Sequence, residues 1–162
     1  MIRLPWACLC LATVLAHAQA SPLKGRVVHV ADGDTITVLD PMNESFRVRL
    51  AGIDAPEKAQ PWGKVSKQAM ADLVAGREVI VEWRKRDRYH RLVGVVRVDG
   101  VDAGLTQVAE GLAWHYLDYE KEQTPEDRLL YANAEREARA QQKGLWRDPD
   151  PVPPWVWRRR KR

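Results

Sequence analysis

Asp34, Asp54, Glu57 and Arg49 fall within two short runs of this chain, Asp32-Gly33-Asp34-Thr35 and Arg49-Leu50-Ala51-Gly52-Ile53-Asp54-Ala55-Pro56-Glu57. Carboxylate oxygens suit a hard divalent cation. A carboxylate held still can take a proton from water, and a guanidinium can grip phosphate oxygens. Metal-assisted attack on a phosphodiester needs these groups together. Each residue also has a plainer reading. Asp-Gly-Asp alone is a hairpin turn, and Asp54 alone is an Asx-type cap before Pro56. Glu57 alone is a surface glutamate, although Pro56 stiffens the loop that presents it. For Arg49 the competing role is a cross-strand ion pair with Glu44 or Asp40. Arg91 closes the charged turn Arg84-Lys85-Arg86-Asp87-Arg88-Tyr89-His90-Arg91, where a solvated loop charge is the alternative to a second phosphate clamp. Tyr89 offers a hydroxyl to phosphate or a ring to a base, and a core-edge position would explain it equally. Trp114, Tyr116 and Tyr119 form an aromatic run that fits either a nucleotide platform or packing.

The elements that must position these residues are legible from period and punctuation. Residues 24–30 alternate and are β-branched, so they read as a strand. Asp32-Gly33 turns the chain, and residues 35–39 return. Residues 45–53 read as a third strand, with Phe46, Val48 and Leu50 on one face and Arg47 and Arg49 on the other. A helix is expected over residues 63–75, with Val65, Ala69 and Leu73 as its buried stripe, Met70 beside them and Gly76 as its stop. Residues 78–83 and 92–98 read as strands, and residues 103–110 as a short helix. A longer helix starts at the cap Thr124, with Pro125 first and Asp127 third, and runs to about residue 142. Five strands with a helix after the third indicate an α+β, mainly β chain: an OB-type five-stranded barrel with three helices.

Composition narrows the setting. Residues 1–20 carry Arg3, the apolar run of residues 8–16 and Ala18-Gln19-Ala20, the pattern of a cleaved export signal. That run is too short for a bilayer span. Both cysteines lie within it, so the chain after residue 20 has none and folds without disulfides. The formal charge of +4 is a property of the tail: residues 21–157 hold 20 Lys and Arg against 22 Asp and Glu, and residues 158–162 are all basic. A basic surface is therefore no argument for nucleic acid, and the argument rests on the site. The division expected is a signal over 1–20, one domain over 21–148, and a Pro/Trp/Arg-rich tail over 149–162 that reads as solvated and disordered. No Gly-rich phosphate loop, Ser-His-Asp pattern or Cys/His zinc spacing is present.

With these residues in place, the chain resembles the thermonuclease, or staphylococcal-nuclease-like, family. The resemblance rests on Val30-Ala31-Asp32-Gly33-Asp34-Thr35, the run from Arg49 to Glu57, and Asp87-Arg88-Tyr89-His90-Arg91. Gly111-Leu112-Ala113 and Gly144-Leu145-Trp146 follow in order, so it spans residues 25–147. It implies a calcium-dependent phosphodiesterase that acts on DNA and RNA and leaves 3′-phosphate ends; with the export signal, the expectation is an exported monomer. It implies Ca2+ on the Asp34 and Asp54 carboxylates and the Ala55 carbonyl. It makes Glu57 the base, Arg49 and Arg91 the phosphate ligands, and Tyr89 a substrate contact; Tyr119, from the aromatic run, is expected as a second substrate contact. Three departures stand out. Ala55 replaces the Thr of some members, and His90 replaces a usual Gly, where a positive φ would strain it. The loop over residues 58–62 is shorter and poorer in lysine. The alternatives are a catalytically silent nucleic-acid-binding module on this barrel, or an extracellular binding protein using it. A silent module would be expected to lose acidic and arginine positions, all five of which are kept here.

Overall fold

The computed structural model describes residues 21–160. The expected signal at 1–20 and the last two basic residues lie outside them. Strands β1 (Leu23–Val30), β2 (Thr35–Leu39) and β3 (Ser45–Leu50) form an antiparallel meander. Strands β4 (Ile53–Asp54), β5 (Glu78–Arg86), β6 (Leu92–Val98), β7 (Val101–Asp102) and β8 (Trp114–His115) complete the β structure. The helices are α1 (Gly63–Val74), α2 (Ala103–Ala109), α3 (Pro125–Ala140) and α4 (Pro154–Arg160), with 3-10 turns at Leu117–Glu122 and Gly144–Arg147.

The barrel closes in the order β3-β2-β1-β5-β6, with β3 and β6 joined in parallel at Val48↔Leu92, Arg49↔Val93 and Leu50↔Gly94. Closed strands leave no unpaired inner edge, which is how a small β fold avoids open edges. Gly94 is required at this seam, because a Cβ there would lie 2.5 Å from the Glu82 carbonyl oxygen. The opposite strand bulges between Trp83 and Lys85 at the same level. Val27, Ile36, Val38, Val48, Leu50, Val81, Leu92 and Val96 fill the interior, with Met70 and Val74 of α1 closing one end. The five barrel strands and helices α1 to α3 are those the sequence indicates, with β4, β7, β8 and α4 added to them, and Thr124 caps α3 by accepting from the Asp127 amide at 3.0 Å.

Three expectations are corrected. Residues 45–53 are not one strand. The chain turns at Ala51-Gly52, with Gly52 at φ 70, and Ile53–Asp54 pairs instead with Trp114–His115. Helix α1 is phased differently: Gly63, Ser66, Met70 and Val74 are buried and Val65 is half exposed, because Ser66 faces the Asp32-Gly33 loop and α2. Residues 149–160 are not a disordered tail. Pro151, Val152 and Pro153 run along the loop before α1, and α4 lies over the cleft that holds Asp54 and Glu57.

Candidate active site

The Asp32-Gly33-Asp34 loop is fixed from beneath. Gln107 of α2, 2% exposed, donates from Nε2 to the Gly33 carbonyl at 2.9 Å and to the Ser66 carbonyl at 2.9 Å. A Cβ at position 33 would collide with the Ser66 hydroxyl, so only glycine lets the loop settle on α1. The Asp34 amide donates to Asp32 Oδ1 at 3.1 Å, and Thr35 Oγ1 donates to Asp34 Oδ1 at 2.9 Å. Asp34 Oδ2 accepts from the Ala55 amide at 2.9 Å, which sets its carboxylate beside the Asp54–Ala55 peptide. Two nearly buried aspartates twenty positions apart in sequence are thus neighbours.

The crowding shows in the protonation of Asp32 and Asp54. Burial first, and then the charge of Asp34, push the Asp32 carboxyl up to about 7. Burial also raises Asp54, reinforced by Asp34 and opposed by hydrogen bonds from Arg158 and by the nearby arginines. Carboxylates that repel one another in a desolvated pocket are stabilised by a cation. Among the described residues no group of three or more His, Cys, Asp or Glu side chains is arranged to hold a metal. The residues that could offer oxygen to a divalent ion here are Asp34 and Asp54, beside the backbone at Ala55.

Both expected arginines are buttressed by acids. Arg49, 6% exposed, pairs through Nη1 with Glu122 Oε2 at 3.1 Å. Its Nη2 donates to the Ile53 carbonyl at 2.7 Å, and its guanidinium lies 4.3 Å from the Tyr119 ring centre. The partner is Glu122, 73 residues away, and not the cross-strand acids Glu44 or Asp40. Glu122 also pairs with Lys85 at 3.0 Å. Arg91 donates through Nε to Asp87 Oδ2 at 2.7 Å and through Nη1 to Thr35 Oγ1 at 3.4 Å. Burial alone would raise Asp87, but hydrogen bonds from Arg91 and from the Tyr89 amide outweigh it and hold the carboxyl below its usual range. The turn that presents Arg91 does place His90 at φ 61, a conformation histidine adopts more readily than β-branched residues. Each arginine keeps further N–H groups beyond its acid partner.

Asp34, Arg49, Asp54, Ala55, Glu57, Tyr89, Arg91 and Tyr119 all line one open cleft of about 430 Å³. These eight residues are therefore brought together in one cleft, and Trp114 is not among them. Glu57 is at the mouth with its side chain 40% exposed, its amide donating to Gln60 Oε1 at 3.1 Å. Tyr89 is exposed beside Arg91, whose guanidinium lies 5.4 Å from its ring centre. Trp114 belongs to a buried cluster with Leu145 and Trp146, so packing explains it, whereas Tyr116 and Tyr119 meet edge to face at 4.6 Å on the cleft wall. Asp32, Trp155, Arg158 and Arg159 also line the cleft.

Residues 47–148 match the model of the staphylococcal nuclease homologue family. The chain belongs to this family. An "Uncharacterized endonuclease" of Escherichia coli O157:H7 is 47% identical over 140 residues, covering 86% of this chain and 87% of that protein. A "Micrococcal nuclease" of Shigella flexneri is 45% identical over 145 residues, covering 84% and 80%. A "Probable staphylococcal-like nuclease CAN1" of Oryza sativa subsp. japonica is 43% identical over 119 residues, or 74% of this chain and 34% of that one. As a member of the staphylococcal nuclease homologues, the chain is a nuclease, a hydrolase of phosphodiester bonds with nucleic-acid substrates. No helix among the described residues is long and apolar enough to cross a membrane.

Four residues of this site escaped the sequence. Glu122 and Gln107 lie far along the chain from the groups they hold, and no local pattern marks them. Asp32 reads from sequence as part of a hairpin turn, and the second acid of Asp-Gly-Asp is the only hint of crowding. Arg158 had a usable signal: it lies three residues after Trp155, so on a helix both share a face.

Proposed function

We propose that this nuclease is exported, requires calcium, and hydrolyses DNA and RNA with low sequence specificity, leaving 3′-phosphate ends. The observation that carries the proposal is the convergence in one cleft of Asp34, Asp54 and Glu57 with two acid-buttressed arginines, Arg49 and Arg91. Asp34 and Asp54 would hold the ion, with the Ala55 carbonyl and water completing its oxygen shell. Calcium held there would polarise a phosphate oxygen and offset its charge. Glu57 takes the proton of the attacking water, and its partly exposed position on a proline-stiffened loop suits that exchange. The water oxygen bonds to phosphorus, the bond to the 5′-oxygen breaks with its electron pair on that oxygen, which takes a proton from solvent to leave as a 5′-hydroxyl, and the phosphate stays on the 3′ side. Arg49 and Arg91 take the equatorial oxygens, whose charge grows in the five-coordinate transition state. Tyr89 and Tyr119 flank the strand beside those arginines. Phosphate contacts carry no base information, so many sequences should be cut. All of these groups come from one chain, which fits a monomer. Export rests on the pattern of residues 1–20 and would place the enzyme in the periplasm or outside the cell.

The test is direct. Residues 21–162 are incubated with plasmid and with single-stranded DNA, with calcium and with excess chelator, at mildly alkaline pH. Calcium should permit degradation and chelator stop it. A folded domain that leaves both substrates intact with calcium would overturn the proposal, and retained nucleic-acid binding would then favour the silent module.

A further inference from the structure

The C-terminal helix places a cation on the acids of the site. Arg158 of α4 donates from Nη1 to Asp54 Oδ1 at 3.1 Å and from Nη2 to Asp54 Oδ2 at 2.7 Å, a two-point fork that takes both oxygens of one carboxylate. The same Nη1 donates to Glu57 Oε1 at 2.8 Å. One guanidinium thus bridges the assigned metal ligand and the assigned base.

The arm that carries it is anchored. Trp155, one turn earlier on α4, stacks on Tyr116 at 4.6 Å with ring planes 23° apart, and meets Trp114 edge-on at 5.4 Å. Gln60 Nε2 donates to the Val152 carbonyl at 2.5 Å, tying the segment before α4 to the loop that bears Glu57. Pro151, Pro153 and Pro154 restrict that segment further. The guanidinium is therefore delivered at a high effective concentration. Its side chain remains 42% exposed, whereas that of Asp54 is 6% exposed, so Arg158 can swing toward solvent while Asp54 stays in place.

We propose that Arg158 is a tethered occupant of the catalytic carboxylates, which a divalent cation must displace from Asp54 before the site can work. This rests on the assignment of calcium to Asp34 and Asp54. A guanidinium and calcium seek the same oxygens and repel each other, so occupancy by one excludes the other. The C-terminal helix then sets how much calcium the nuclease needs, and releasing it frees Glu57 at the same moment.

The experiment is calorimetric titration of calcium into residues 21–162 without nucleic acid. Arg158→Ala should bind calcium about tenfold more tightly than the wild type, the scale of one charge-assisted hydrogen bond. Arg158→Lys keeps the charge but loses the fork, and should fall between them. Arg160→Ala removes the same charge from the end of α4 and should match the wild type. Tryptophan fluorescence should show Trp155 still stacked in each variant. Equal affinity in wild type and Arg158→Ala would overturn the displacement while leaving the calcium site standing. If neither protein takes up calcium, the calcium assignment fails and the displacement fails with it.

Discussion

Glu122 is bound by two cations in very different surroundings, and the difference sets what each pair is worth. Arg49 and Glu122 are 3.1 Å apart with side chains 7% and 6% exposed. Lys85 reaches the same carboxylate at 3.0 Å, but its side chain is 54% exposed. Removing one member of a buried pair costs about 3–5 kcal/mol, because the other charge is left without compensation. Glu122→Gln should fall at the lower end, about 3 kcal/mol. The new amide oxygen can still accept from Arg49, and Arg49 keeps the Ile53 carbonyl and the Tyr119 ring. Lys85→Ala should cost less than about 1 kcal/mol, since water screens an exposed ammonium. The check is urea denaturation, followed by circular dichroism, of the wild type, Arg49→Met, Glu122→Gln and the double variant. Their cycle should give a coupling of about 2 kcal/mol or more. A coupling below about 0.5 kcal/mol, or a Lys85→Ala cost equal to that of Glu122→Gln, would refute the claim that burial makes this pair a structural support for Arg49.

Two further predictions follow from named contacts. Glu57→Gln should lower kcat by at least about a hundredfold with little change in nucleotide affinity, whereas Arg91→Ala should lose both, as single-turnover rates and equilibrium binding would show. Equal loss of affinity in the two variants would remove Glu57 as the base. Tyr131→Phe deletes the hydroxyl that donates to both oxygens of Asp102 at 3.0 Å, and should cost about 1–3 kcal/mol at neutral pH. Burial already raises the Asp102 carboxyl, and losing this donor penalises its charged form further. The loss should therefore be greater at pH 7 than near pH 4, where more of Asp102 is protonated, and denaturation at both values would check the sign.

Local signals in the sequence were faithful where short-range rules decide the outcome. Thr124-Pro125 marks the start of α3, and the alternation around Ile36 and Val48 marks strands that do line the barrel. The acids and arginines that share the cleft were legible because they are concentrated in three short runs of the sequence. The misreadings share a cause: a partner distant in sequence. Ser66 is buried because Gln107 and the loop at Gly33 meet it, so a polar residue sits where periodicity favoured Val65. Arg49 finds Glu122 through a 3-10 turn that no propensity announces. The segment after residue 148 has the composition of a solvated tail, yet Trp155 finds Tyr116 and Trp114, and that burial orders seven helical residues.

The parallel seam between β3 and β6 does more than close a cylinder. Arg49 lies on β3 opposite Val93, and Arg91 immediately precedes β6, so the two guanidiniums share a cleft only when strands more than forty residues apart are in register. An unfolded or half-folded chain has every charged group of the site and no clamp. Closing this seam is therefore the folding step that sets both arginines in one cleft.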